Sequence, residues 1–398
     1  MALVGCALAG MAAPGHLLAQ KEISEKIEAA IFRPAVTEPS EESIASLKVP
    51  EGFHVSVFAK ELKNPRMMAV LPDGSVYVTR RAPQNDVLLL KDADGDGTAD
   101  APITVARIPD VHGIAIKDGK IYLAAVRELY VGDIAKDGSL ENIKPIYEDL
   151  PDAGQHPNRT LAFSPDGELY LSVGSTCNAA PEANPESATM LKVKTDGSGR
   201  TTFARGLRNT IGFDWNPETG ELWGLDHGID WLGDETQREE LNRIEEGANY
   251  GWPFVFEDGK PNLADNPKEL TGLSWEEYAK KCEDPTLTYT AHAAPMALLF
   301  YRGKQFPGDF SGDAFATFHG SWNRGTASGY ELTRIKFRDG RPVSIEPFIT
   351  GFYSEAHQSQ FGRPCGLALA PDGSLLMSDD GGGIIYRITY DKNGTTGL

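Results

Sequence analysis

The sequence predicts an all-β protein, a six-bladed β-propeller whose blades are four-stranded antiparallel sheets. Three observations support this prediction. An apolar strand, a turn of the Pro-Asp-Gly type and a second strand recur along the chain. Most of the recurring turns lie about 45–60 residues apart, which is the length of one four-stranded blade. The chain also contains 42 glycines and 26 prolines without a short period, which favours many turns over a helical bundle.

Six copies of the repeat follow one another, each alternating apolar and polar residues as a half-buried strand does. They are Met68–Arg81, Gly113–Val126, Leu161–Gly174, Gly212–Gly228, a weaker Phe310–Gly320, and Leu367–Gly382. A gap of about double length between the fourth and fifth copies predicts an insertion there. The early strand Phe53–Ala59 is expected to pair with the last blade, because ring closure removes exposed strand edges. Two stacked β-sandwiches are the alternative, which the even repeat disfavours.

The N-terminal region divides into three predicted parts. Residues 1–20 have the apolar core of a signal peptide, with cleavage expected after Ala19. Residues 21–48 form an extension that is partly helical, over 22–32, and residues 49–398 form the propeller. Leu3 to Cys6 also resembles a lipoprotein cleavage box. We therefore expect a periplasmic or secreted protein, with a lipid anchor as the alternative and no stable membrane span.

Composition excludes some functions. The chain has 38 basic and 57 acidic residues and a formal charge of −19, which argues against a protein that binds nucleic acid. Hydrophobic residues make up 40%, enough for a large core. Beyond the signal peptide, Cys177, Cys282 and Cys365 allow one disulfide and one free thiol, in a pairing that sequence does not choose. No haem-binding CxxCH occurs, so the chain is not expected to carry a c-type haem.

Arginines and histidines cluster at the strand ends opposite the Pro-Asp-Gly turns. In a meander, successive turns lie at opposite ends, so these residues should surround one mouth of the propeller. Those before strands are Arg66, His112, His156, Arg159, Arg208, Asn209 and Arg363, and those after strands are Arg80, Arg81, Ser175, Asp226, His227, His319, Asn323, Arg324, Asp379 and Asp380. Because arginine forks fit carboxylates and phosphates, the mouth is predicted to bind a small polyanion. For any single arginine, a structural role between blades is the alternative.

A separate acidic loop carries four aspartates with DxDxDGxxD spacing, Asp92, Asp94, Asp96 and Asp100. Such loops bind calcium through oxygen ligands. A full EF-hand loop would end with a glutamate where this chain has Ile103, so we expect a shorter calcium loop. A solvated acidic turn is the alternative.

Five longer motifs carry a family resemblance: GQHPNRTLAFSPDG, RGLRNTIGFDWNPETGELWGLDHG, EELNRIEEGANYGWP, HGSWNRG and GRPCGLALAPDG. Over about Val49–Tyr390 the chain resembles the soluble glucose/sorbosone dehydrogenases that use pyrroloquinoline quinone (PQQ) with calcium, and it is nearest their L-sorbosone dehydrogenase branch. The resemblance implies oxidation of an aldose or a sorbosone-like aldehyde hydrate. It makes His156 the catalytic base, which takes a hydroxyl proton, and Arg208 the residue that stabilises a developing oxyanion.

The resemblance also implies how the cofactors are held. The PQQ-binding positions correspond to Asn209, His227, His292, Asn323, Arg324 and Arg363. Two consecutive backbone carbonyls, those of Gly228 and Ile229, would bind calcium. The chain departs from the family's glucose oxidisers at Gly154, Ser175, Ile211, His227, Asn323 and Cys365, so glucose specificity is doubtful.

Two other functions compete with this one. A calcium-dependent lactonase-like propeller would need carboxylate and asparagine ligands on the axis and few arginines at the mouth. A non-catalytic binding propeller that has lost its cofactor would explain the departures. If the enzyme hypothesis holds, the partners are a small sugar or aldehyde and a separate cytochrome or quinone.

Overall fold

The structure is a computed structural model that describes residues 30–152 and 154–391. The predicted signal peptide and most of the predicted helix over 22–32 lie outside these residues. Residues 30–32 are not helical. The extension instead contains strand β1 (Ala35–Val36) and helix α1 (Glu41–Ala45), which precede strand β2 (Phe53–Ala59). Helix α1 begins at Ser40, whose hydroxyl caps the backbone N–H of Ser43.

Among the described residues, six sheets each have four antiparallel strands. The first three contain β3 (Pro65–Val70), β4 (Val76–Arg80), β5 (Asp86–Leu90) and β6 (Ile103–Arg107); β7 (Gly113–Lys117), β8 (Lys120–Ala124), β9 (Leu129–Ile134) and β10 (Leu140–Tyr147); and β11 (Leu161–Phe163), β12 (Leu169–Val173), β13 (Thr189–Val193) and β14 (Arg200–Arg205).

The remaining three sheets follow the same meander with one interruption. The fourth contains β15 (Gly212–Trp215), β16 (Leu222–Asp226), β17 (Glu239–Ile244) and β20 (Leu287–Tyr289). The fifth contains β21 (Pro295–Phe300), β22 (Ala314–Phe318), β23 (Glu331–Arg338) and β24 (Arg341–Ile349), with a 3-10 helix at Gly308–Phe310. The short strands β25 (Tyr353–Ser354) and β26 (Ser359–Gln360) pair with each other, and β26 also pairs with β1. The sixth sheet contains β27 (Pro364–Leu369), β28 (Leu375–Asp379), β29 (Ile384–Tyr390) and β2.

The predicted insertion lies between β17 and β20. It contains the hairpin β18 (Val255–Phe256) and β19 (Lys260–Pro261) and helices α2 (Lys268–Thr271) and α3 (Trp275–Ala279). No helix within the described residues is long and apolar enough to cross a membrane. Cys177, Cys282 and Cys365 are free thiols, so the disulfide that the sequence allowed does not form.

The repeated turns form tight hairpins for a local reason. Gly74, Gly167 and Gly373 have φ near +90°, with values of +89°, +88° and +89°, a backbone conformation that glycine adopts without a Cβ clash. In two of them the preceding aspartate, Asp73 or Asp372, accepts a hydrogen bond from the N–H two residues on, at 2.9 and 3.0 Å. These side chains stabilise the turn that reverses the strand.

The sheets pack side by side through their first strands. Strand β3 contacts β7 and β27, β7 contacts β11, and β21 contacts β15 and β27. Between the third and fourth sheets, the rings of Tyr170 and Trp215 meet edge to face with centroids 5.1 Å apart. Strand β2 pairs with β29, as predicted, so the N-terminal strand completes the last sheet. This all-β arrangement of four-stranded antiparallel sheets is consistent with a β-propeller.

Candidate active site

Residues at the strand ends of five sheets meet at the end opposite the Pro-Asp-Gly turns. Arg66, at the start of β3, forms an ion pair with Asp380, which follows β28. The same carboxylate contacts Nε2 of His319 at 2.6 Å. Arg66 also approaches His112, whose Nδ1 lies 3.1 Å from the carbonyl oxygen of Arg159. The predicted cluster of arginines and histidines therefore exists, because strand ends from different sheets converge there.

Some of the predicted mouth arginines are structural. Arg80 forms a two-pronged ion pair with Asp86, at 2.8 and 2.7 Å. Arg159 is fully buried and donates to the carbonyl oxygens of His156 and Pro151. These two guanidinium groups hold the chain in place and are unavailable for a bound anion.

The contacts of His156 with Ser175 fix its ring as a neutral imidazole. Its Nδ1 lies 2.9 Å from the carbonyl oxygen of Ser175 and 2.8 Å from its Oγ, which itself donates to the carbonyl oxygen of Cys177. Since a carbonyl only accepts, Nδ1 must carry the proton and Nε2 the lone pair. Burial, and then the charge of Arg208, lower the pKa of His156 to about 2. Nε2 has no hydrogen-bond partner among the described residues, so it can accept a proton.

Asp226, at the end of β16, accepts hydrogen bonds from the segment that connects the third sheet to the fourth. Its buried carboxylate accepts the backbone N–H groups of Arg208 and Asn209, both at 2.8 Å, and the hydroxyl of Thr210. Burial raises the pKa of Asp226 to about 6. This arrangement fixes the backbone from which the Arg208 side chain enters the mouth.

The Arg208 guanidinium has protein partners. Its Nε and Nη2 donate to the backbone and side-chain oxygens of Asn178, at 3.0 and 2.8 Å. Nη2 also pairs with Asp230 at 3.1 Å, and Asp230 in turn accepts from the amide of Asn323 at 2.6 Å. Asp230 was not among the residues predicted from sequence. It bridges the predicted catalytic residue Arg208 and the predicted cofactor ligand Asn323, and its sequence signal is its place in the DHGID segment.

The other predicted cofactor residues surround this bridge. The second ring nitrogen of His292, Nε2, contacts the carbonyl oxygen of Gly233 at 2.9 Å, and its Nδ1 lies 3.3 Å from the Asn323 amide. Arg324 pairs with Glu235 at 2.7 Å and also donates to the carbonyl oxygen of Ala291. Arg324 is therefore turned towards the protein's own carboxylate.

Arg363 is a half-buried mouth arginine whose guanidinium has no carboxylate partner among the described residues. Its Nε and Nη2 donate to the carbonyl oxygens of His319 and Gly320, at 3.0 and 2.8 Å. Its backbone N–H donates to the buried carboxylate of Asp379, at 2.7 Å. Arg363 is half-buried and cationic, which suits it to bind an anion. Cys365, two residues on, is fully buried and offers no charge, because burial raises the pKa of its thiol to about 12.

The backbone after β16 offers free carbonyl oxygens. Glu239 accepts the N–H of Gly228 at 3.0 Å and that of Ala294 at 2.8 Å, which fixes the Gly228 peptide. A Cβ at Gly228 would lie 1.9 Å from the carbonyl oxygen of Gln237, so only glycine fits. The carbonyl oxygens of Gly228 and Ile229 accept no hydrogen bond from the described residues. His227, just before them, contacts the carbonyl oxygen of Pro295 at 2.5 Å, and burial lowers its pKa to about 3.

The acidic loop lies at the other end of the sheets. One carboxylate oxygen from each of Asp92, Asp94 and Asp96 lies within 4.8 Å of the others. Asp100 is outside this cluster and accepts the N–H of Ala93 at 3.1 Å. Asp92 lines the same surface depression as Asp73, in the first Pro-Asp-Gly turn. The loop is therefore remote from His156.

Comparison with known proteins gives one family and several solved structures. Residues 47–391 match the TrAA12-like family. A protein from Hypocrea jecorina, named a pyrroloquinoline quinone-dependent sugar dehydrogenase, is 24% identical over 408 residues, covering 87% of this chain and 90% of that protein. The calcium structure of a Trichoderma reesei carbohydrate-active enzyme of family AA12 has a TM-score of 0.76 at 22% identity, covering 89% of this chain and 98% of that one. The holo PQQ domain of a Coprinopsis cinerea pyranose dehydrogenase has a TM-score of 0.72 at 17% identity, covering 90% of this chain and 100% of that one.

Proposed function

The chain belongs to the TrAA12-like family, and on that premise we propose that it is a PQQ- and calcium-dependent oxidoreductase. The substrate is an aldose or an aldehyde hydrate such as that of sorbosone, and the electrons leave to a separate cytochrome or quinone. The relative from Hypocrea jecorina is named for the same cofactor and for sugar dehydrogenation. Membership of the L-sorbosone dehydrogenase branch is part of the proposal.

The observation that carries the proposal is the unprotonated Nε2 of His156. It has no partner among the described residues, and the contacts of Nδ1 with Ser175 fix the tautomer. A neutral imidazole in this form can remove the hydroxyl proton of a sugar as hydride leaves the same carbon. The charge of Arg208 lowers the pKa of His156, so the guanidinium lies close enough to stabilise negative charge that develops beside the imidazole.

PQQ is a tricarboxylate, and only some of the cationic side chains at the mouth are free to bind its carboxylates. Arg363 has no carboxylate partner among the described residues, and we assign it to a cofactor carboxylate. Arg208 and Asn209 are assigned to the quinone end, with Asn323, Arg324, His227 and His292 as further contacts. When bound, the quinone supplies the acceptor for hydride. The protein contributes the base, the cation of Arg208 and the orientation of both.

Calcium is proposed at two places. The free carbonyl oxygens of Gly228 and Ile229 are hard ligands of the type that calcium prefers, and Glu239 orients the first of them. The second place is the acidic loop, where Asp92, Asp94 and Asp96 cluster; Asp100 supports the loop backbone. An ion there would stabilise the fold from the end opposite the mouth.

A second candidate function is a non-catalytic propeller that has lost its cofactor. The ion pairs of Arg208 with Asp230 and of Arg324 with Glu235 favour it, because they occupy cations that a tricarboxylate would need. A lactonase-like propeller is less favoured, since the mouth is lined by arginines.

Three predictions about organisation belong to the proposal. The four-stranded sheets are the six blades of one propeller over residues 49–398. Residues 1–20 are a signal peptide and residues 21–48 an extension. The protein acts in the periplasm or is secreted, with lipid anchoring as the alternative.

The test is reconstitution. Purified apoprotein is titrated with PQQ in the presence of Ca²⁺ and of chelator, and binding is followed by absorbance. Reduction of an electron-accepting dye is then measured with a panel of aldoses and aldehydes. Calcium-dependent PQQ binding with sugar-dependent dye reduction is expected. Absence of PQQ binding would refute the cofactor assignment and favour the propeller that has lost its cofactor. Binding without any turnover would refute the oxidoreductase.

A further inference from the structure

An exposed tryptophan stands at the rim of the candidate site. Trp231 is 37% exposed and directly follows Asp230, the residue that pairs with Arg208. Trp322 directly precedes Asn323, which donates to the same carboxylate. The two indole rings meet edge to face, with centroids 4.9 Å apart and an interplanar angle of 80°. We call Trp231 and Trp322 the tryptophan pair.

The backbone of Trp231 is strained. Its φ is +74°, in the left-handed region that bulky side chains rarely occupy. Such strain persists only where the surroundings impose it, and it concentrates at functional sites. Burial of the indole is not the reason, because the residue is exposed.

The loop that carries Trp231 is fixed at several points. The carbonyl oxygen of Gly233 contacts Nε2 of His292 at 2.9 Å. The carboxylate of Asp234 accepts the N–H of Gly325 at 2.8 Å, and that of Glu235 pairs with Arg324 at 2.7 Å. These contacts hold the loop in one conformation and place the Trp231 indole beside the mouth.

Trp322 is the fixed member of the pair. The guanidinium carbon of Arg33 lies 5.1 Å from its ring centroid, and the N–H of Phe32 donates to its carbonyl oxygen at 3.2 Å. The N-terminal extension thus occupies one side of Trp322. Trp231 is the ring that remains available to a ligand.

We infer that the tryptophan pair is a saccharide subsite, and that the substrate is an oligosaccharide of at least two rings. The inference rests on the proposed function. The ring to be oxidised lies at His156, and the next ring packs its C–H face on Trp231. Aromatic side chains offer a large apolar face for such packing. Gln155, next to His156, reaches towards Asp230 with Nε2 and Oδ2 3.5 Å apart, so polar groups for hydroxyls lie between the two ring positions.

The test measures binding to apoprotein by calorimetry, with D-glucose, maltose and cellobiose as probes. One of the disaccharides should bind more tightly than glucose, and Trp231→Ala should weaken that disaccharide about tenfold. Trp231→Phe should keep most of the affinity. Trp231→Gly should lose it, although the melting temperature stays equal or rises, because glycine adopts a positive φ without strain. Trp275→Ala, in helix α3 of the insertion, removes a tryptophan elsewhere and is the matched control.

The results separate the subsite from the enzyme. Equal affinity of wild type and Trp231→Ala for the disaccharides, or no disaccharide preference in wild type, overturns the subsite. A melting temperature of Trp231→Gly well below that of wild type assigns Trp231 a structural role and also overturns it. These measurements need neither PQQ nor turnover. Trp231-dependent disaccharide binding in a protein that reduces no dye would instead refute the oxidoreductase and retain the subsite.

Discussion

The tautomer of His156 yields the most direct prediction. Nδ1 has two oxygen partners on one residue, the carbonyl and the hydroxyl of Ser175. Ser175→Ala removes the hydroxyl and leaves the carbonyl, so the proton should stay on Nδ1. One hydrogen bond of this kind contributes about 0.5–1.5 kcal/mol, which corresponds to a loss of about tenfold or less in kcat/KM. His156→Ala removes the base itself and should cost about two to four orders of magnitude.

The pH dependence gives the same prediction an independent readout. Because burial and Arg208 lower the pKa of His156 to about 2, the group stays neutral over the working pH range. Ser175→Asp would place a carboxylate against Nδ1 and favour the charged imidazole, which raises the pKa by about 1–3 units. The imidazole of that variant should then begin to protonate below about pH 5, where that of wild type does not.

The assay is nitrogen NMR of protein labelled at histidine, with His156→Gln used to assign the signal. The expected spectrum shows a protonated Nδ1 and an unprotonated Nε2 that do not change from pH 8 to about pH 4. A proton on Nε2, or titration between pH 6 and 7, would refute the assignment of His156 as a preset base. PQQ affinity of the His156→Ala protein should remain close to that of wild type, which checks that the site has kept its shape.

Three further predictions concern the cofactor, the acidic loop and the buried carboxylates. Arg363→Ala should weaken PQQ binding more than it slows the PQQ-loaded enzyme, and Arg208→Ala should do the reverse. Binding is measured by PQQ titration and the rate by turnover at saturating PQQ. The opposite order would mean that the roles of the two arginines are exchanged. Asp94→Asn with Asp96→Asn should lower the melting temperature gained on adding Ca²⁺, since an ion at a hundredfold excess over Kd contributes about 2.7 kcal/mol; unchanged melting across a calcium titration would make the loop a solvated turn. Glu240→Gln should flatten the pH dependence of apoprotein unfolding, because burial raises the pKa of Glu240 to about 8. Between about pH 4.5 and pH 8 the folded state holds a proton that the unfolded state has lost, so the free energy of unfolding of wild type falls as the pH rises. Denaturant titrations at several pH values measure this free energy. The same dependence on pH in both proteins would contradict the prediction.

The strand and turn pattern was predictable because its causes are local. Side chains alternate along a strand, and the turn glycines need a positive φ wherever they occur. The turns of a meander also alternate between the two ends of a sheet. This alternation predicted that Arg66, His112 and Asp380 lie at the same end of the sheets. The pairing of β2 with β29 followed from the need to close the sheet edge.

The tertiary structure alone decided which charges are available. Arg208 and Arg363 look alike in the sequence, yet the Arg208 guanidinium pairs with Asp230, 22 residues away, and the Arg363 guanidinium donates to two carbonyl oxygens. The proton position of His156 depends on Ser175, 19 residues away on the far side of a hairpin. Ion pairs and tautomers depend on distance and burial in three dimensions, and strand periodicity carries no information about either. The sequence therefore determined at which strand ends the arginines and histidines lie, and the fold determined which of these side chains pair with the protein's own carboxylates.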